Sequence, residues 1–398
     1  MPWNICDLMK KRSEFVQLAG SIRSGRARGS VSELCQRYGI SRKTGYKWLG
    51  RYAQEGDGGL ADRSRAPRSQ PQKTPELVEE RVLELRDRHP GWGGRKLRRR
   101  LLDLKEPFVP VASSITEILR RHGRLDLATG SPPSRATQRF ERDSPNDLWQ
   151  MDFKGHFGLG TGGRCHPLTV TDDHSRFNIL LAACQDEQSR TVKEKLTDAF
   201  QCYGLPRQIL CDNATIWRCP KRSQGLSGLE AWLVRTGVDP IHGRPYHPQT
   251  QGKEERFHQT LNHEVIRRRL NWRDLEQCEE AFQEWRIIYN EERPHESLGD
   301  ATPVSRYEVS ERRYAGEQEM EAYYEAGVNR RKVDRSGEIS FRAVTCYVGM
   351  GLAGEVVGLR QIGEARWSIS YGWKRLGMME LPMEKNGETV HLSKMPGW

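Results

Sequence analysis

The sequence contains no apolar run that approaches the length of a membrane-spanning helix, about 20 consecutive apolar residues. Its start, MPWNICDLMKKRSEF, also lacks the apolar stretch of a secretory signal peptide. The nine cysteines form no CxxC pair and no close cluster with histidine. These absences argue against a membrane protein, a disulfide framework and a zinc site, and we expect the reducing environment of a cytoplasm.

Acidic residues are scarce in one part of the chain. The net charge is +11 over 398 residues, but residues 1–140 hold 29 lysines and arginines against 15 acidic residues. The remainder of the chain is slightly acidic. We interpret the basic part as a polyanion-binding arm and the acidic part as a domain that keeps carboxylates for chemistry. By charge alone, solvated basic helices are the alternative.

Residues 30–52 have the pattern of a helix, a tight turn and a second helix. Ser30 and Glu33 have capping-box spacing, Gly39 suits a left-handed turn, and Ser41 suits the cap of the second helix. Long polar side chains near the start of that helix are what major-groove reading needs, although a helical hairpin without a DNA role is the alternative. The predicted DNA contacts are Arg42, Lys43, Thr44, Tyr46 and Lys47.

A second unit of the same kind is predicted over residues 74–126. Thr74 and Pro75 form an N-cap and first-turn pair, and a later helix has Ser114 and Glu117 at capping-box spacing. Two such units would allow a longer DNA site to be read. The predicted contacts of this unit are Arg95, Lys96 and Arg99.

Residues 57–73, between the two units, are rich in glycine, proline, serine and arginine and are predicted to form a basic linker. Arginines in such a segment can enter a minor groove, which makes Arg63, Arg65 and Arg68 candidate DNA contacts. A merely solvated linker fits the same composition equally well.

After a second linker, residues 127–145, the pattern changes to strands and amphipathic helices. The stretch LWQMDF alternates and places Asp152 on the face opposite Trp149. A strand, a DDHSR turn and another strand follow, and a later short buried strand ends at Asp212. We predict a mixed α/β domain over residues 146–310, in which strand ends carry the chemistry.

The next helix carries two adjacent glutamates. Phe257, Leu261 and Val265 recur every four residues and define a buried stripe, on which Glu254 falls and from which Glu255 departs. We expect Glu255 to be the free carboxylate, with an ordinary surface charge as the alternative, and Glu254 to turn to solvent at the helix start. The side chains predicted to contact DNA around Glu255 are Gln251, His258, Gln259 and Asn262.

Asp152, Asp212 and Glu255 together form a set of hard oxygen ligands without cysteine or histidine. Such ligands suit Mg²⁺ or Mn²⁺. Two ions about 4 Å apart can activate a nucleophilic oxygen and stabilise the leaving oxygen in phosphoryl transfer. The set therefore predicts a site for metal-dependent phosphodiester chemistry.

Four stretches, LWQMDFKG, CDN, HPQTQGKEERFHQTL and YNEERPHESLGDATPVSRY, resemble the integrase-core transposases of bacterial insertion sequences, relatives of retroviral integrases. The resemblance implies a ribonuclease-H-like core in which Asp152, Asp212 and Glu255 bind two Mg²⁺ ions, with Mn²⁺ as a substitute. Two positions depart from the family pattern. The position of Glu254 is usually apolar in the family, and Ala214 stands where a glycine is common.

The fold class expected from pattern and resemblance together is multidomain. It comprises two helix-turn-helix units, an α/β ribonuclease-H-like core with a mixed sheet, and a small C-terminal β-barrel. The expected boundaries are a first unit at 1–56, a second at 74–126, the core at 146–310, a linker helix at 311–332 and the barrel at 333–398.

The function implied by the resemblance is that of a bacterial DNA transposase, nucleoid-associated when bound to DNA. It would bind the terminal inverted repeats of its element, cleave at the 3′ ends and transfer them into target DNA. Two DNA ends must be held together, so a homodimer or higher oligomer is expected. The alternatives are a non-catalytic DNA-binding regulator and a metal-dependent nuclease that cuts without joining strands.

Overall fold

A computed structural model of the chain shows two units, residues 1–73 and residues 74–398. In the part that it describes, no helix is both long enough and apolar enough to cross a membrane. The described residues are 5–63, 73–125, 141–211, 225–242, 252–381, 389–390 and 393.

The first unit contains three helices, α1 (Ile5–Arg23), α2 (Val31–Arg37) and α3 (Arg42–Glu55). The predicted capping box of α2 is confirmed, because Glu33 N donates to Ser30 Oγ and Ser30 N donates to the Glu33 carboxylate. The Ser41 cap of α3 is also confirmed. Helix α1 was not predicted from the sequence.

The first unit extends beyond residue 56, where the sequence predicted a linker. A 3₁₀ turn, Gly56–Leu60, follows α3 directly. Leu60 is fully buried in the same core as Phe15 and Trp48, and the Arg12 guanidinium donates to its carbonyl at 2.7 Å. The prediction that residues 57–60 belong to a linker is therefore wrong, because an apolar side chain in that stretch completes the core.

The second helical domain opens the second unit and consists of α4 (Glu76–Arg88), α5 (Gly94–Asp103) and α6 (Ala112–Arg121). Two predicted helix starts are wrong. Pro75 rather than Thr74 precedes α4 and gives no side-chain cap. Helix α6 already begins at Ala112, so Ser114 lies inside it and does not cap it.

The core is built on a mixed sheet flanked by helices, which confirms the predicted α/β architecture. The spatial order is β4-β3-β1-β5-β6, with β2 pairing at the start of β3. Strand β3 runs antiparallel to β1 and β4, whereas β1, β5 and β6 are parallel. The strands are β1 (Leu148–Phe153), β2 (Phe157–Gly158), β3 (Arg164–Asp172), β4 (Asn178–Cys184), β5 (Gln208–Cys211) and β6 (Asp239–His242).

Helices cover both faces of this sheet, so β1 is buried from two sides. The core helices are α7 (Ser189–Tyr203), α8 (Gly228–Arg235), α9 (Gly252–Glu264) and α10 (Leu275–Ile287). Helices α7 and α8 pack one face around Leu196 and Trp232. Helices α9 and α10 pack the other around Leu261 and Phe282. The strand that carries Asp152 is thus held between two hydrophobic layers.

The predicted linker helix over residues 311–332 is wrong. This segment contains only a 3₁₀ turn, Met320–Tyr323, and then strand β7 (Asn329–Lys332). Its backbone is held by the core: Leu205 N donates to the carbonyl of Arg312, and Gln318 N donates to a core carbonyl. Because these contacts take the groups that a helix would pair internally, tertiary packing overrides the local preference.

The C-terminal region forms two sheets around one hydrophobic core, and its described strands do not close into a barrel. A four-stranded antiparallel sheet has the order β12-β11-β10-β7, and a three-stranded sheet has the order β13-β9-β8. The β-strands other than β7 are β8 (Glu338–Phe341), β9 (Val344–Tyr347), β10 (Val356–Gln361), β11 (Arg366–Tyr371), β12 (Lys374–Glu380) and β13 (Thr389–Val390).

Candidate active site

Asp152 lies near the end of β1, beside helix α9. Its backbone pairs with Thr169 of β3, and the Thr169 hydroxyl donates to the Asp152 carbonyl at 3.0 Å. The side chain of Asp152 is 25% exposed. A carboxylate held rigidly at a strand end, with part of its surface open to solvent, is placed to take a cation or to meet a substrate.

The phase predicted for α9 is confirmed. Glu254, Phe257 and Leu261 are buried, whereas Glu255 and Gln259 are exposed. The Gln259 side chain donates to the Glu255 carboxylate at 3.3 Å, so the two share one face as expected. Asn262 also lies on α9 and is half-buried.

The expectation that Glu254 turns to solvent is wrong, because its side chain is 2% exposed. Thr169 Oγ1 lies 3.1 Å from Glu254 Oε2 and gives the carboxyl group a polar partner inside the core. Burial raises the pKa of Glu254 to about 8, and the negative charge of nearby Asp152 adds to this shift. Glu254 is therefore mostly a neutral acid at neutral pH.

His258 lies between Asp152 and Thr169. Its Nε2 atom is 2.8 Å from Thr169 Oγ1, and its Nδ1 atom is 3.9 Å from Asp152 Oδ2. Burial lowers the pKa of His258 to about 4, with a further contribution from the positive charge of Lys154. The imidazole is thus neutral and borders the Asp152 carboxylate. From the sequence, His258 was placed only at the edge of the buried stripe of α9.

Asp212 and Gln251 lie outside the described residues. Of the three predicted carboxylates, the structure therefore describes two, Asp152 and Glu255. Within the described ranges no group of three or more histidine, cysteine, aspartate or glutamate side chains is arranged to hold a metal ion. The metal site predicted from the sequence therefore stays a prediction.

Sequence phasing missed Thr169, whose hydroxyl is within 3.1 Å of groups on three other residues. It also missed Asp173, in the DDHSR turn, whose buried carboxylate receives hydrogen bonds from Gln150 and Lys253. The alternation of β3 and the paired aspartates of the turn were visible in the sequence. The partners were not, because they are far away along the chain.

The predicted recognition face of α3 is open to solvent. Trp48 and Leu49 are buried on the opposite face. Lys47 lies with its ammonium 4.4 Å from the centre of the Trp48 ring, which leaves the charge at the surface. Of the predicted contacts, four are exposed and Thr44 is half-buried; the exposed ones are Arg42, Lys43, Tyr46 and Lys47.

The predicted DNA contacts of the second helical domain are largely engaged with protein groups. Arg95 lies 3.1 Å from Glu296 and 3.7 Å from Asp300, both in the core. Arg99 pairs with Asp103 of its own helix at 2.9 Å. Burial lowers the pKa of Lys96 to about 8.

The three arginines assigned to the linker are only partly described. Arg63 forms an ion pair with Glu55. Arg65 and Arg68 lie outside the described residues. DNA contact by all three stays a prediction.

Known protein families match the helical regions and the α/β core of the chain. Two families described as "Integrase core domain" match residues 142–248 and 236–303. Two families described as "Homeodomain-like domain" match residues 20–61 and 44–119. The matched ranges therefore cover the helical regions and the core that holds Asp152 and Glu255.

Among curated proteins, the chain is similar to an uncharacterized 39.2 kDa protein of insertion element IS476 from Xanthomonas euvesicatoria. The two are 28% identical over 255 residues, which is 62% of this chain and 69% of the relative. It is also similar to the Gag-Pro-Pol polyprotein of mouse mammary tumor virus, at 31% identity over 117 residues. That match covers 29% of this chain and 6% of the polyprotein.

Among solved structures, the chain is similar to the catalytic core domain of BIV integrase. The identity is 20%, the match covers 40% of this chain and 92% of that one, and the TM-score is 0.31. The assignment itself rests on the matched domains and on the insertion-element relative. Residues 142–303 match integrase core families, the chain is similar to an insertion-element protein, and these matches together support an integrase-core transposase of the insertion-element type.

Proposed function

We propose that this protein binds the terminal inverted repeats of an insertion element, cleaves the DNA at the 3′ ends and transfers those ends into target DNA. The observation that carries the proposal is the position of Asp152. It lies at the end of a central strand, 3.9 Å from His258 of α9, inside the range matched by the integrase core family.

Glu255 is the proposed second carboxylate of the site. Residues three apart on a helix are surface neighbours, so Glu255 borders His258, which itself borders Asp152. Glu255 is exposed, and a ligand must be open to the ion that it binds. Glu254 is buried and mostly protonated, which makes it the poorer ligand of the adjacent pair.

The proposed cofactor is Mg²⁺, as two ions, with Mn²⁺ as a substitute. Asp152 and Glu255 supply the hard oxygen atoms that these cations prefer, and Asp212 is the proposed third ligand. Bound there, the ions would make the attacking oxygen more nucleophilic and stabilise the charge on the leaving oxygen. The neutral imidazole of His258 suits a position beside these ligands, because it adds no positive charge that would repel a cation.

The remaining polar side chains of the α9 face are proposed to hold the DNA next to the bond that is cut. His258 and Gln259 border Glu255 on the helix, Asn262 lies one turn further along, and Gln251 precedes Glu255 in the sequence. Uncharged amides offer both donors and acceptors to phosphates and base edges. The exposed face of α3 is proposed to read the terminal repeat in the major groove.

The test uses the full-length protein with duplexes taken from the DNA that flanks its gene. We expect end-specific cutting and joining to a target duplex in the presence of Mg²⁺ or Mn²⁺, by a dimer or larger assembly. Specific binding without cutting would instead support the regulator. Cutting without end specificity and without joining would support the nuclease.

A further inference from the structure

The carboxylate of Asp173, in the turn after β3, is completely buried and receives hydrogen bonds from three separate segments. Gln150 Nε2 and Lys253 Nζ both donate to its Oδ1 atom at 2.5 Å. The backbone N–H of Arg142 donates to Oδ2 at 2.8 Å. One side chain thus ties together strand β1, helix α9 and the segment that leads into β1.

Two of the residues that contact Asp173 lie close in sequence to the proposed ligands Asp152 and Glu255. Gln150 is two residues before Asp152 on β1, so both side chains project from the same face of the strand. Lys253 is two residues before Glu255, at the start of α9. A single carboxylate oxygen therefore holds the strand of one proposed ligand and the helix of the other.

We propose that Asp173 and Lys253 are positioning residues that set the distance between Asp152 and Glu255. This inference rests on the proposed function. A buried ion pair contributes little net stability because both charges lose their hydration, but its directional contacts can fix one arrangement of two elements. The Lys253 side chain is 19% exposed and that of Asp173 0%, so water screens the pair little.

The neighbouring contact supports a positioning role. Glu254 meets Thr169 of β3 at 3.1 Å, so consecutive residues at the start of α9 are anchored to one strand and to the turn that follows it. Thr169 in turn donates to the carbonyl of Asp152. These contacts hold the start of α9 against β3, which limits both its rotation about the helix axis and its sliding along β3 relative to Asp152.

The test compares Lys253→Met with Lys253→Arg in the full-length protein. Lys253→Met should lower the single-turnover rate of strand joining by about 10–100-fold, because small misplacements of reacting groups are costly. It should also weaken Mn²⁺ affinity, measured by calorimetry without DNA, by about tenfold. The affinity for terminal DNA should not change. Lys253→Arg keeps the charge and most of the reach, and should recover most of both losses.

A control is Lys193→Met on α7, which removes a different lysine–carboxylate pair, that of Lys193 with Glu317 at 2.8 Å. It should behave as wild type. Since Lys253→Met also leaves a buried carboxylate without its ammonium partner, the double variant Lys253→Met/Asp173→Asn separates stability from positioning. It should regain the urea midpoint lost in the single variant but not the joining rate or the Mn²⁺ affinity.

Recovery of joining together with stability in the double variant would show a purely structural pair and overturn the inference. So would wild-type joining and Mn²⁺ affinity in Lys253→Met. Asp152→Asn and the wild type, assayed in parallel, test the proposed function and site separately from the positioning inference. If the wild type itself does not join ends, the proposed function is wrong. If Asp152→Asn joins ends as well as the wild type, Asp152 is not part of the active site and the positioning inference falls with it. If Asp152→Asn is inactive while Lys253→Met is fully active, only the positioning inference fails.

Discussion

The first helical unit and the second helical domain each place three helices around a buried tryptophan, but they direct their basic side chains differently. On α3, Arg42 and Lys47 are exposed, and no carboxylate of the described residues pairs with them. On α5, Arg95 reaches Glu296 and Asp300 of the core. The basic side chains at the start of α3 thus have no carboxylate partner among the described residues, whereas Arg95 of α5 is paired with two.

This difference indicates that the two homeodomain-like regions have different tasks. Positive charge that faces solvent attracts a polyanion, whereas charge that is paired with carboxylates does so much less. In the second domain Arg100 also pairs with Glu292 at 2.8 Å, next to His89. We infer that the first unit dominates DNA recognition and that the second domain is mainly docked on the core.

The largest expected effect is a loss of catalysis in the core without a loss of DNA binding by the helical regions. Glu255→Val should abolish cutting and joining, because it removes a proposed ligand, and should leave DNA binding by α3 unchanged. Glu254→Val is the matched control in the adjacent position. It should retain activity and keep or raise the free energy of unfolding, because valine suits a site that is 2% exposed. Joining assays and urea unfolding of both variants make the comparison.

The reverse outcome would reassign the ligand. If Glu255→Val joined DNA ends and Glu254→Val did not, Glu254 would be the metal ligand despite its burial. The exposed face of α9 would then have no part in the chemistry.

The next effect concerns recognition by the first unit. Arg42→Ala or Lys47→Ala should weaken binding to terminal DNA. If the side chain reads a base, preference at one or two positions should fall by about 1–3 kcal/mol. If it contacts phosphate, all sequences should be affected alike and the salt dependence should flatten. Footprints that are unchanged in both variants would transfer recognition to the second helical domain.

A smaller effect is expected at His258, which borders the chemistry without being a proposed ligand. His258→Ala should reduce joining partially and leave Mn²⁺ affinity unchanged, because imidazole is a poor partner for hard cations beside carboxylates. Calorimetry on the full-length protein makes the measurement. Loss of Mn²⁺ binding in this variant would place His258 among the ligands.

The smallest effect is expected at Arg95 of the second domain. Its side chain is 59% exposed and that of Glu296 is 80% exposed, so their pair contributes only about 0–1 kcal/mol to stability. Arg95→Ala should leave the affinity for terminal DNA within about twofold, since an already paired arginine adds little to phosphate binding. A loss as large as that of Arg42→Ala would show that both domains read the DNA and would remove the contrast between them.

Local sequence signals predicted the features that depend only on residues nearby in the chain. The Ser30–Glu33 capping box and the phase of α9 were predicted correctly because each is decided within one or two helical turns. Ser114 was misassigned as a cap because the same spacing also occurs inside a helix. Sequence spacing alone does not distinguish the two.

Features that depend on distant contacts were not predictable in this way. The prediction of a linker helix was wrong because residues around Arg312 lie along the core and form hydrogen bonds with it. The burial of Glu254 depends on Thr169 of strand β3, and the Asp173 carboxylate joins Gln150 to Lys253, which is far away along the chain. Conflicts between local pattern and observed structure here mark places where the core and the proposed site are assembled.

The most direct test of the account is a paired measurement on Asp152→Asn with one terminal duplex. Footprinting should give a binding curve that matches the wild type, since α3 is untouched. Joining of that duplex to target DNA in Mg²⁺ or Mn²⁺ should fall below detection, because the substitution removes one ligand charge from the proposed site. Joining at a near-normal rate would contradict the account and remove Asp152 from the active site.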